Sequence, residues 1–152
     1  VVDVAGDVVT EAASAGTDTI RTSLATYSIA ALTNIENLTG TAAAGQTLTG
    51  NTLANTMTGG IGNDILAGGT GADSFIFVPG FGKDTITDFA AGTGIVDVMQ
   101  FSMGTAFDTF AEVLAASAQV GANTVITFDA NTSITLQNIQ KTALVADDFR
   151  FV

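Results

Sequence analysis

Two tandem copies of one nine-residue unit carry the chemistry of this sequence: Gly59-Gly60-Ile61-Gly62-Asn63-Asp64-Ile65-Leu66-Ala67 and Gly68-Gly69-Thr70-Gly71-Ala72-Asp73-Ser74-Phe75-Ile76. Each reads GGxGxD followed by x-apolar-x. The glycines admit backbone angles that a Cβ forbids, so six residues can curl with carbonyls turned inward while the Asp adds a carboxylate. Such a turn is a pocket of hard oxygens. Calcium suits it, because it accepts about six to eight oxygens in flexible geometry, whereas magnesium demands a tight octahedron and keeps its waters.

Damaged copies flank the perfect ones. Gly50-Asn51-Thr52-Leu53-Ala54-Asn55-Thr56-Met57-Thr58 keeps the first Gly and puts Asn55 where the Asp belongs. Gly80-Phe81-Gly82-Lys83-Asp84-Thr85-Ile86 restores GxGxDx-apolar, with Pro79 inside a two-residue insertion. Leu48, Met57, Leu66 and Phe75 recur every nine residues, which is neither a helical nor a simple strand period. An x-apolar-x segment is too short to be a strand alone, but coils stacked ~4.8 Å apart pair their backbones and bury the apolar residue between two sheets. Alternate repeats then face opposite edges, so Asp73 is expected over Asn55 on one edge and Asp64 beneath Asp84 on the other. Carboxylates ~5 Å apart repel by ~3 kcal/mol at an effective dielectric of about 20, and a cation between them removes that cost. Gly60, Gly62 and Asp64 form one expected half-site and Gly69, Gly71 and Asp73 the next. Asn55, Gly82 and Asp84 serve as their partners, for about two to four calcium ions.

The elements that must hold these turns make an all-β chain: a parallel β-roll, or β-solenoid, followed by a small C-terminal β cap with one short helix. Residues 1–47 read as metal-poor rungs, with short β segments such as 18–23 and 34–39; residues 48–94 are the calcium-binding roll and residues 95–152 the cap. In the cap, a strand is expected over 96–101 and a helix bearing Phe110, Val113, Leu114 and Ser117 on one face. Strands 124–128 and 133–136 flank a hairpin turn, and a strand over 147–152 closes the chain. The 152 residues suit one domain.

Composition excludes much else. The chain has no His and no Cys, and sets fifteen Asp and Glu against four Lys and Arg for a net charge of −11. Triads with His, imidazole or thiolate zinc sites and disulfides are therefore ruled out. Nucleic acid is not an expected partner without a basic stripe, and no apolar run of ~18 residues provides a transmembrane segment.

The repeats resemble the hemolysin-type nonapeptides of RTX proteins. Gly82-Lys83-Asp84-Thr85-Ile86-Thr87-Asp88-Phe89 resembles the GxDxIxDF segment that follows the last repeats in serralysin-type secreted proteins, which gives Asp84 a calcium-holding role. That family continues as GxDxIDL with a further metal-binding Asp. Here Gly94 takes that position, so the outer ligand is lost, and Asp97 aligns with a later, structural Asp. The closing segment 144–152 resembles the uncleaved C-terminal end of type I secretion substrates, with acidic residues before a hydrophobic tip interrupted by Arg150. The resemblance implies a calcium-driven folding and secretion module: disordered in calcium-poor cytosol, exported through a type I transporter that reads the C-terminus, and folded outside the cell. The implied location is extracellular or at the cell surface, with any activity in an upstream effector domain rather than in this chain. Two other readings fit parts of the sequence. One is a self-assembling structural or adhesive protein of a surface layer or matrix; the other is a polysaccharide-acting enzyme, whose paired carboxylates are better explained by calcium ligation.

Overall fold

From residue 19 to residue 101 the chain passes back and forth between two parallel sheets, three or four residues at a time. The computed structural model describes residues 1–12, 16–94, 96–104 and 107–152; the cap boundary expected at residue 95 falls outside them. One sheet has the order β1 (Thr19–Thr22), β3 (Asn37–Gly40), β5 (Thr56–Thr58), β7 (Ser74–Phe77), β9 (Val98–Phe101) and β13 (Phe149–Phe151), all parallel. The other runs β10 (Ser117–Val120), β11 (Asn123–Thr127), β12 (Ser133–Leu136), β8 (Lys83–Ile86), β6 (Ile65–Ala67), β4 (Thr47–Thr49) and β2 (Thr26–Ser28). Only its β10–β11 and β11–β12 pairs are antiparallel.

The nine-residue apolar interval creates this architecture. Leu48 aligns with Leu66 and Leu66 with Ile86 in one sheet; Leu38, Met57, Phe75 and Met99 align in the other. All seven are fully buried. Because two nonapeptides complete one coil, each inward residue rests on its counterpart two repeats away, and the flanking Thr and Ser positions stay half-exposed. Truncating one of these side chains to Ala is the kind of change that costs about 2–5 kcal/mol.

At the C-terminal end the column widens into aromatic packing. Phe77 packs on Phe81 (4.8 Å between ring centroids) and Phe101 (5.7 Å); Phe128 packs edge-on against Phe101 (5.2 Å) and Phe107 (4.6 Å). Helix α1 (Phe110–Ala115) begins at a capping box between Thr109 and Glu112. It is shorter than the expected face: Ser117 opens β10 instead of extending the helix, and its hydroxyl donates to the carbonyl of Val113 at 2.6 Å. Strand β10 itself was not expected, since Ala118, Gln119 and Val120 are all exposed and lack an alternating pattern. The 124–136 hairpin forms as expected, and β12 lies parallel beside β8. The final strand, β13, closes the other sheet beside β9. Among the described residues no helix is long and apolar enough to cross a membrane.

Candidate metal centre

The turns between strands fall on two edges of the solenoid, and the residue that ends each turn stacks on its counterpart one coil away. Gln46, Asp64 and Asp84 line one edge; Asn55, Asp73 and Asp97 line the other. The stacking is bonded: the Gln46 N–H donates to Asp64 Oδ1 (2.7 Å) and the Asp64 N–H to Asp84 Oδ1 (2.8 Å). On the opposite edge the Asn55 N–H donates to Asp73 Oδ1 (2.8 Å) and the Asp73 N–H to Asp97 Oδ1 (2.9 Å). Each carboxylate thus reaches back one coil and fixes the register of the strand that follows it. The expected pairings, Asp73 over Asn55 and Asp64 with Asp84, are both present, and Asp64 and Asp73 stand on opposite edges as expected.

Glycine is required here by space as much as by conformation. A Cβ on Gly68 would collide with the Asp73 carboxylate, and one on Gly59 with that of Asp64. Gly82 has φ of 93° and lies so close to the carbonyl of Gly62 that no side chain fits between the coils. Gly60 and Gly62 belong to the turn of Asp64, and Gly69 and Gly71 to that of Asp73; all four have positive φ.

The carboxylates are sealed in. Asp64, Asp73, Asp84 and Asp97 are each at most 3% exposed. Among the described residues, Asp64 Oδ2 and Asp73 Oδ2 are buried and accept no hydrogen bond. Burial pushes Asp84 up to about 8, with the neighbouring Asp64 charge adding to it. Burial likewise raises Asp73 to about 6, against the pull of the Asn55 N–H and with help from Asp97 and Asp88. Asp64 and Asp97 are shifted up for the same first reason. Among the described residues no three acidic, His or Cys side chains converge on one point, so a cation at these turns would draw largely on main-chain carbonyls.

Several residues of the site escaped the sequence reading as parts of it. Asp88 accepts from the Gly68 and Gly69 N–H groups (both 2.9 Å), bracing the turn of Asp73 from the next coil. Asp97 commits both oxygens to main-chain donors, Asp73 N–H and Ala90 N–H (2.8 Å). Gln46 lies eighteen residues before Asp64, one full coil, and that spacing could have found it. Asn51 escaped it as well: its N–H donates to Oδ1 of the expected Asn55 at 2.7 Å, while the Asn55 amide nitrogen donates to the carbonyls of Ile35 and Glu36.

A similar solved structure is that of the extracellular lipase LipA from Serratia marcescens, with a TM-score of 0.63 at 20% sequence identity. The match covers 90% of this chain and 20% of the lipase chain, so this chain spans about a fifth of that protein's length and shares its fold over that part. No curated protein matches the chain. The family model described as Peptidase M10 serralysin C terminal matches residues 2–152. That match extends the motif-bearing stretch to nearly the whole sequence, and with the paired parallel sheets and a GGxGxD turn on each edge it places the chain in the serralysin C-terminal family, a β-roll module rather than a catalytic domain.

Proposed function

We propose that this chain is a calcium-folded module of a protein exported by a type I system. The observation that carries the reading is the pair of buried oxygens, Asp64 Oδ2 and Asp73 Oδ2, each in a GGxGxD turn and each without a hydrogen-bond donor among the described residues. A buried acceptor left unmatched costs about 1–3 kcal/mol, and more when charged. Calcium supplies the missing positive charge. Asp64 with Gly60 and Gly62, and Asp73 with Gly69 and Gly71, are the residues assigned to hold it. Gly82 and Asp84 complete the first edge, and Asn55 borders the second.

Linkage gives the scale. Extracellular calcium modules bind at ~10⁻⁴ to 10⁻³ M, and free ion at ten times that constant stabilises the fold by ~1.4 kcal/mol per site. Two or three sites then contribute a few kcal/mol, comparable with a small domain's whole margin of about 5–15 kcal/mol. The acidic coils would stay open for export from calcium-poor cytosol and close outside. Secretion, an extracellular location and an upstream effector domain rest on family membership and on the acidic-then-apolar pattern of residues 144–152.

Calorimetric calcium titration tests the ligand assignment. Asp64→Ala and Asp73→Ala are each expected to lose bound calcium, whereas Asp97→Ala keeps the ion count and lowers stability, because its oxygens already serve the Asp73 and Ala90 N–H groups. Loss of a site in Asp97→Ala alone would make Asp97 a ligand. Gly68→Ala places a methyl against the Asp73 carboxylate, and its calcium affinity is expected to fall about tenfold or more, the equivalent of one displaced charge-assisted contact. Unchanged affinity would remove Asp73 from the set.

A further inference from the structure

The turns of this solenoid come in two kinds. In 59–64 and 68–73 the outer carboxylate oxygen lies beside the first glycine of the turn and accepts nothing from the described residues. In 40–46 and 50–55 the oxygen in that place belongs to an amide. Gln46 Oε1 sits beside Gly40 and accepts from the Ala42 N–H at 2.9 Å; Asn55 Oδ1 sits beside Gly50 and accepts from the Asn51 N–H at 2.7 Å.

The second side-chain atom differs as well. Asp64 and Asp73 accept from the N–H of the coil before, but the amide nitrogens donate to its carbonyls. Gln46 Nε2 reaches Thr22 O (3.2 Å) and Leu24 O (2.6 Å), and Asn55 Nδ2 reaches Ile35 O (3.3 Å) and Glu36 O (3.2 Å). Asn51 Nδ2 joins Leu32 O and Ile35 O, both at 2.7 Å. A carbonyl is satisfied by the positive end of an N–H much as by a cation, and a neutral amide brings no charge needing neutralisation.

We propose that the amides of Gln46, Asn51 and Asn55 take the cation's place in the first coils. Residues 16–58 therefore close without metal, and β4 and β5 offer a formed edge on which β6 to β9 assemble when calcium arrives. This rests on the calcium reading of the acidic turns. It makes folding directional, from the amide-bolted coils towards the C-terminus.

Amide exchange of the full chain, read by NMR in chelator and in millimolar calcium, tests it. The N–H groups of Asn37, Thr47 and Thr56 donate to Asp18, Ala25 and Glu36 within the first coils; those of Thr85 and Val98 donate to Asp64 and Asp73 in the acidic ones. In chelator the first three are expected to be protected and the last two to exchange as in an unfolded chain, with calcium protecting all five. If all five exchange freely in chelator and are protected by calcium, the proposal fails and the calcium reading stands. If all five are equally protected in both, the calcium reading itself falls. Asn55→Asp gives a second readout: protection of Thr56 in chelator drops about tenfold and calcium restores it, whereas Asn55→Ala loses it in both conditions. Unaltered protection of Thr56 in chelator for Asn55→Asp would overturn the role of the amide.

Discussion

In chelator, raising the pH from 5 to 8 is expected to lower the melting temperature of the acidic coils until they no longer fold, and millimolar calcium is expected to abolish that loss. The carboxylates set the sign. In the metal-free fold Asp73 titrates at about 6 and Asp84 at about 8, both above the ordinary 3.8, because burial disfavours the charged form. A raised folded-state value means that folding takes up protons. The metal-free coils are thus most stable below pH ~4 and lose stability as the pH climbs through these values. For Asp73 alone the penalty at neutral pH is about 3 kcal/mol relative to pH below 4; about 1.4 kcal/mol of it falls between pH 5 and 8, or roughly 3–6 °C in a domain of this size. Calcium reverses the slope: metal-held carboxylates titrate below their ordinary value, so the loaded protein loses stability only as acid protonates its ligands near pH 4 and releases the ion. Far-ultraviolet circular dichroism melts at both pH values, with chelator, calcium or magnesium, measure this. A flat or rising melting temperature in chelator between pH 5 and 8 would remove the electrostatic basis of the calcium requirement.

The edge stacking was legible in the sequence because its period is rigid: once two nonapeptides make a coil, Leu48 must meet Leu66 and Asp73 must meet Asn55. Legibility failed where length or chemistry departs from that period. Asp97 follows Asp73 by twenty-four residues rather than eighteen, so the loop between them hides a pairing that a 2.9 Å bond makes plain. Gln46 keeps the spacing but not the residue type, and a long amide with a different bonding pattern does not announce that it fills an Asp position. Strand β10 has three exposed residues of four and pairs with β11 through its backbone, leaving no apolar alternation to read. The parallel seating of β12 on β8 joins residues some fifty positions apart, a choice set by closure of the cap core and not by local pattern.

Removing residues 147–152 is expected to weaken the folded module by several kcal/mol while leaving calcium uptake at 59–73 in place. Strand β13 pairs in parallel with β9, aligning Phe149 with Met99 and Phe151 with Phe101, and the Val152 N–H donates to the Phe101 carbonyl at 3.0 Å. Phe149 is 8% exposed, its ring 6.1 Å from that of Phe101 and 5.4 Å from that of Phe110. Asp148 is fully buried and accepts from the Gly92 and Val145 N–H groups, both at 2.8 Å. Loss of the buried Phe alone is worth about 3–5 kcal/mol, and the Gly92 donor loses its acceptor as well. The turns of Asp64 and Asp73 draw their stacking partners from Asp84 and Asp97, so their bonds survive the deletion. Export separates the two roles of this end, because a type I signal is read unfolded and a cap strand matters only after folding. From a cell bearing a matching transporter, the deleted chain is expected to stay inside, whereas Phe149→Ala is exported normally and melts lower in calcium. Normal export of the deleted chain would leave residues 147–152 a purely structural role, with the transport signal lying elsewhere in the protein.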